Sequence, residues 1–156
     1  MIGPIVYLST PSETSTEQLA PVGTRREYND ATYGYQVYTM VKASAAIAAN
    51  KVVEWDNATD GSAAEADSNF VVAGKLAGVS QNAIASGSYG WVCCAGVCVV
   101  TTAASVVAGA AAVTKGASAS GAVDDTDFTD VEESIMGTFP VAIGSATTGA
   151  IRLAIP

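Results

Sequence analysis

Large apolar residues in this chain come only in short runs, and each run is cut off by Gly, Asn, Ser or Asp. Val37, Thr39 and Val41 alternate with Tyr38, Met40 and Lys42, and Lys51-Val52-Val53-Glu54-Trp55-Asp56 alternates in the same way. Further runs lie at Phe70–Val72, Leu76–Val79, Gly90–Cys94, Val97–Thr101, Ile135–Thr138, Val141–Ile143 and Ala150–Ile155. Runs of this length, rich in Val, Ile, Thr, Tyr and Trp and bounded by turn formers, are strand signals. Alanine is abundant, but it sits beside glycine and lacks the i, i+3, i+4 spacing of large apolar residues that a packed helix needs. Only Ala43–Ala49 could make a short helix. The fold class expected is all-β: a compact β-barrel or sandwich with an extended N-terminal arm and at most one or two short helices.

Several turns share one pattern: a β-branched residue, two small residues, then Gly or Asn. It occurs at Ile47-Ala48-Ala49-Asn50, Ile84-Ala85-Ser86-Gly87 and Val106-Val107-Ala108-Gly109. Thr147-Thr148-Gly149, before Ala150-Ile151-Arg152-Leu153, reads as a fourth copy. Gly and Asn accept the positive φ of a tight turn, so each copy would deliver the chain into a new strand. The spacing is too irregular for a solenoid or propeller and suits a small barrel.

Residues 1–35 differ from the body at 36–156. Pro4, Pro11 and Pro21 and a Ser/Thr/Glu run from Ser9 to Glu17 give this stretch little to bury. It nevertheless carries Ile5-Val6-Tyr7-Leu8, Arg25-Arg26 and Tyr28, which suit either an arm that orders on a partner or, for Ile5–Leu8, a first or edge strand. Two polar stretches, Asn57–Asn69 and Ala117–Ser134, read as solvated loops. The second holds Asp124, Asp125, Asp127 and Asp130 but lacks the glycine and terminal glutamate of a calcium loop.

The chemistry open to the chain is narrow. It has no histidine, so neither a Ser-His-Asp nor a Cys-His engine can be assembled, and the commonest transition-metal ligand is absent. The net charge of −8 argues against nucleic-acid binding, which needs a basic patch. Val97–Val113 comes closest to a membrane span, and Thr101, Thr102, Ser105 and Gly109 interrupt it. Cys93, Cys94 and Cys98 do not form a disulfide framework and read as buried free thiols in a reducing compartment. No catalytic residue, metal or cofactor is expected. The N-terminus lacks signal-peptide features, so synthesis in a host cytoplasm is expected. A glycan-binding module would need exposed aromatics, and Tyr28, Tyr33, Tyr35 and Tyr38 are the candidates.

The stretch Leu76-Ala77-Gly78-Val79-Ser80-Gln81-Asn82-Ala83-Ile84-Ala85-Ser86-Gly87-Ser88-Tyr89-Gly90-Trp91-Val92 resembles the small head decoration (cement) proteins of tailed double-stranded DNA phages. Ala95-Gly96-Val97-Cys98-Val99-Val100, the turn at Gly109 and Ile135-Met136-Gly137 continue that style. The likeness covers about residues 37–155 and is one of pattern. It implies a structural virion protein on the outer capsid surface, a homotrimer that clamps neighbouring subunits of the major capsid protein. Ile5, Val6, Tyr7, Leu8, Arg25, Arg26 and Tyr28 are then the expected capsid-binding residues. The alternative is a binding module such as the base of a head fibre or a host-glycan adhesin.

Overall fold

The computed structural model describes residues 10–57, 61–66, 75–114, 121–125, 135–144 and 147–155. Ten strands run in chain order: β1 (Arg25–Asp30), β2 (Gly34–Ala43), β3 (Val52–Asn57), β4 (Ser62–Glu65), β5 (Leu76–Ser80), β6 (Tyr89–Thr101), β7 (Ala111–Thr114), β8 (Val123–Asp125), β9 (Ile135–Thr138) and β10 (Thr148–Ala154). No helix occurs among the described residues. Ala43 ends β2, and Ile47, at the centre of the expected helix, forms an isolated bridge with Ile84 instead.

The strands close two rings that share β6. In the first, β2 pairs with β4 in parallel, β4 with β3, β3 with β5, β5 with β6, and β6 with β2. In the second, β6 pairs with β10, β10 with β9, β9 with β7 and β7 with β8. A parallel bridge from Thr102 to Val123 returns to the end of β6 and completes this ring. Closure into barrels removes the open edges that a flat sheet of this length would present.

The two rings are copies of one unit. Val41 faces Gly90 in the first and Val100 faces Gly149 in the second, a displacement of 59 residues. The same displacement carries the Ile47–Ile84 bridge onto Val106–Ile143. It carries the β3–β5 register onto β7–β9, including the shift after Val53 that recurs after Ala112. Only β4 and β8 stand 60 apart, since Ala43 pairs with Ala63 whereas Thr102 bridges Val123. Backbone hydrogen bonds repeat as well: Asn50 donates to the Ser80 carbonyl at 2.7 Å and Gly109 to the Phe139 carbonyl at 2.7 Å.

Burial follows the repeat. Val41, Ile47, Val53, Ala77, Ile84 and Val92 fill the first barrel, and Val100, Val106, Ala112, Met136, Ile143 and Ile151 are buried at the matching places. On their other face the first barrel's strands carry Met40, Val52, Val79 and Trp91, which are buried in the larger cluster together with Ala20. Two glycines are required by close approach. A methyl group at Gly78 would run into the Cys93 carbonyl, and one at Gly137 into the Arg152 carbonyl.

The repeat also corrects the sequence reading. Its fourth copy is not Thr147-Thr148-Gly149 but the turn around Ile143, whose backbone exchanges hydrogen bonds with Val106. Val141–Ile143 is therefore no strand. Gly90–Cys94 and Val97–Thr101 are one strand, bent at Gly96, whose φ is 97°. Both polar stretches contain a strand, β4 in Asn57–Asn69 and β8 in Ala117–Ser134, and Asp124 is buried. Phe70–Val72 lies outside the described residues.

Strand β6 must cross from one barrel to the other, and its crossing segment is clamped. Beyond Gly96 it has left β2, so on that side Val97, Val99 and Thr101 have no partner among the described strands. The Gln36 side-chain amide donates to the Val97 carbonyl. Gln81 donates to the Val99 carbonyl at 2.9 Å and accepts from the Val99 N–H at 3.0 Å. The Thr101 N–H is taken by the Asn50 carbonyl at 2.7 Å. Two glutamine side chains and the Asn50 carbonyl thus satisfy backbone groups that would otherwise be an exposed edge.

Candidate functional site

One element stands outside the repeat. Strand β1 lies along β2 from Arg25 opposite Thr39 to Asp30 opposite Gly34, and no described strand pairs with its other edge. Residues directly opposite each other in an antiparallel pair share a face. Arg26, Tyr28, Gln36 and Tyr38 therefore lie on one face of this hairpin, while Arg25, Glu27, Tyr35 and Val37 lie on the other. The expected pair Arg25 and Arg26 is thereby split between two faces. Ile5, Val6, Tyr7 and Leu8 lie outside the described residues.

The hairpin is closed by Asp30. Its Oδ1 accepts the Thr32 N–H at 2.7 Å and the Tyr33 N–H at 2.8 Å, an Asx turn, and Gly34 follows with φ 74°. This turn carries Tyr33, which lines a cleft together with Tyr28. Tyr28 meets Tyr38 edge to face, with ring centroids 6.3 Å apart. Tyr38 is buried, and its hydroxyl donates to Gln36 Oε1 at 3.0 Å. Burial foremost, then the Cys93 and Cys98 thiols, push the Tyr38 phenol well above its ordinary pKa.

Together these residues shape a cleft of about 230 Å³. Tyr28, Tyr33 and Tyr38 line it with Asp30 and Gln36 from the hairpin; Gln81 and Asn82 come from the turn after β5, and Thr10, Pro11 and Ser12 from the described N-terminal segment. Tyr35 is not part of it. It is the most exposed of the described tyrosines and lies on the opposite face, where its hydrogen bond to the Glu27 carboxylate, with smaller desolvation and charge effects, raises its pKa. Sequence reasoning named three of the cleft tyrosines, but it had no means of bringing Gln81 and Asn82 to them.

Cys93, Cys94 and Cys98 are free and buried, as expected. Burial and the neighbouring Cys93 raise the Cys98 pKa well above its ordinary value, which keeps the thiol protonated.

No family model matches the chain, and no curated protein matches it. Among solved structures, the N base of head fibre protein gp8.5 of bacteriophage phi29 is similar, with a TM-score of 0.57 and 15% identity. The similarity covers 76% of this chain and 94% of that one. The likeness is one of fold: this chain shares its all-β architecture with the base of a phage head fibre.

Proposed function

We propose that this protein is a structural component of a tailed-phage virion that sits on the outer surface of the head and clamps neighbouring major capsid subunits, acting as a homotrimer and catalysing nothing. The fold likeness to a head fibre base, which takes in nearly all of that chain, is the observation that carries this reading. The open edge of β1 supports it, since a capsid segment added there would gain main-chain hydrogen bonds without any special sequence code. Arg25 and Arg26 bring two positive charges to the same strand, one on each face, which suits a capsid surface bearing carboxylates. Many copies on one lattice supply avidity, so each contact can be modest.

The test uses expanded heads that lack the protein. Added protein is expected to bind saturably and raise their rupture temperature, and changing both Arg25 and Arg26 to Ala is expected to weaken that effect. Unchanged rupture temperature with no bound protein would overturn the proposal. The same fold likeness also favours a second reading, the base of a head fibre. Electron-microscope images of decorated heads distinguish the two, because a fibre base would carry density that continues outward from the shell.

A further inference from the structure

We infer that the tyrosine cleft is a binding site for a single neutral sugar ring. The cleft combines what a sugar requires of a protein. A pyranose has an apolar C–H face that packs on an aromatic ring, and hydroxyls that need acceptors and donors at the ring's edge. Tyr28 and Tyr33 offer half-open rings at the mouth, and Asp30 and Asn82 bring a carboxylate and an amide to the same space. A carboxylate is the strongest acceptor available for paired hydroxyls. Among the described lining residues there is no Lys or Arg, and Asp30 would repel an anion, so phosphorylated or acidic sugars are disfavoured. The volume of about 230 Å³ is below the roughly 300–1,000 Å³ of drug-sized pockets, which suits one ring rather than an oligosaccharide buried along its length.

The floor is held before any ligand arrives. Tyr38 is hydrogen-bonded to Gln36, and Gln36 and Gln81 are both tied to the backbone of β6. Groups already fixed cost little entropy when they bind. The second barrel shows that the fold does not demand such a cleft. Displaced by 59 residues, Gln36, Tyr38, Gln81 and Asn82 become Ala95, Val97, Pro140 and Val141, and that barrel closes all the same.

The test is saturation-transfer NMR on the full chain with glucose, galactose and N-acetylglucosamine, each at millimolar concentration. At least one is expected to show transfer to its C–H face. Tyr33→Ala is expected to weaken binding tenfold or more, and its ring is exposed enough for the fold to survive. Asp30→Asn keeps an oxygen for the Thr32 and Tyr33 amides while removing the charge, and is also expected to weaken binding. Tyr35→Ala, on the opposite face, should leave it unchanged. Absence of transfer from all three sugars, or equal binding by Tyr33→Ala, would overturn the inference. So would loss of head binding by Tyr33→Ala, because the cleft would then belong to a capsid subunit. Head binding retained by Tyr33→Ala supports it and leaves the proposed virion role to be judged by its own test.

Discussion

The two barrels answer one structural demand with different side chains. Position 80 in the first is Ser, fully buried, whose hydroxyl meets the Ala48 carbonyl at 2.6 Å and accepts from the Lys51 N–H at 3.1 Å. The equivalent place in the second is Phe139, also fully buried, which fills the space with an aromatic ring. Around both, the backbone is the same: Ser80 donates its N–H to Lys51 at 2.9 Å and Phe139 to Ala110 at 3.1 Å. What stays constant between the barrels is therefore the register, the buried apolar positions and crowded glycines such as the pair Gly78 and Gly137. What differs is free to do something else. On the first barrel the differences gather at β1, the tyrosine cleft and the glutamines that clamp β6.

Truncating Phe139 should break the second barrel most severely. Phe139→Ala is expected to cost about 3–5 kcal/mol, read by urea or thermal unfolding. Ser80→Ala leaves the Lys51 amide without its hydroxyl and is expected to cost about 1–3 kcal/mol. Near-equal losses would mean that the two solutions are not as different as their chemistry. Next in size are the crowded glycines. Gly78→Ala and Gly137→Ala each force a methyl group against a carbonyl of the neighbouring strand, and each is expected to cost about 1–3 kcal/mol. The contacts correspond, but Gly78 also has a φ of 157° whereas Gly137 has no positive φ, so the loss at Gly78 should be the larger, and a harmless change at either would deny the equivalence.

The turns of this repeat were legible in the sequence, but the 59-residue duplication itself was not. The short runs of Val, Ile and Thr mark the main strands, and three of the four turns carry a recognisable β-branched, small, small, Gly or Asn signature. The fourth hides because Ile143 is followed at once by Gly144, which puts the glycine early and lets Val141–Ile143 pass for a strand. β4 and β8 hide for another reason. Ser-Ala-Ala-Glu and Val-Asp-Asp have little strand preference of their own, and it is pairing on both sides that extends them. The cleft was half legible. Alternation along a hairpin places Tyr28 and Tyr38 together and Tyr35 apart, but Asn82 reaches them only through the barrel's closure.

The crossing strand β6 and its neighbour β2 give the comparison a pH dependence. Tyr38 and Cys98 both hold their protons more tightly in the fold than outside it, Tyr38 chiefly through burial and Cys98 through burial and Cys93. A raised pKa in the folded state means that the contribution is complete below the unfolded value and is lost as pH rises past it. The melting temperature should accordingly fall above about pH 8.5, the ordinary cysteine value, and again as free tyrosine begins to ionise near pH 10. Cys98→Ala should remove the lower part of that fall. If Cys98→Ala leaves the alkaline profile unchanged, the thiol is not its source.

The smallest effect tests the equivalence most directly. Asn50 is the one described non-glycine residue with positive φ, at 61°, and its counterpart Gly109 has φ 83°. Both lie in the second half of the repeated turn, and both donate at 2.7 Å across to the strand end that follows. Asparagine tolerates the left-handed region better than other side-chain-bearing residues, and glycine occupies it freely but loses more entropy on folding. Exchanging the two, as Asn50→Gly and Gly109→Asn, should therefore change stability by no more than about 0.5 kcal/mol each. Valine at either position, by contrast, should cost about 1–3 kcal/mol through the strain of a β-branched residue at positive φ. If valine is tolerated at 109 but not at 50, the turns share a sequence signature without sharing a conformation, and the second barrel's copy is looser than the first.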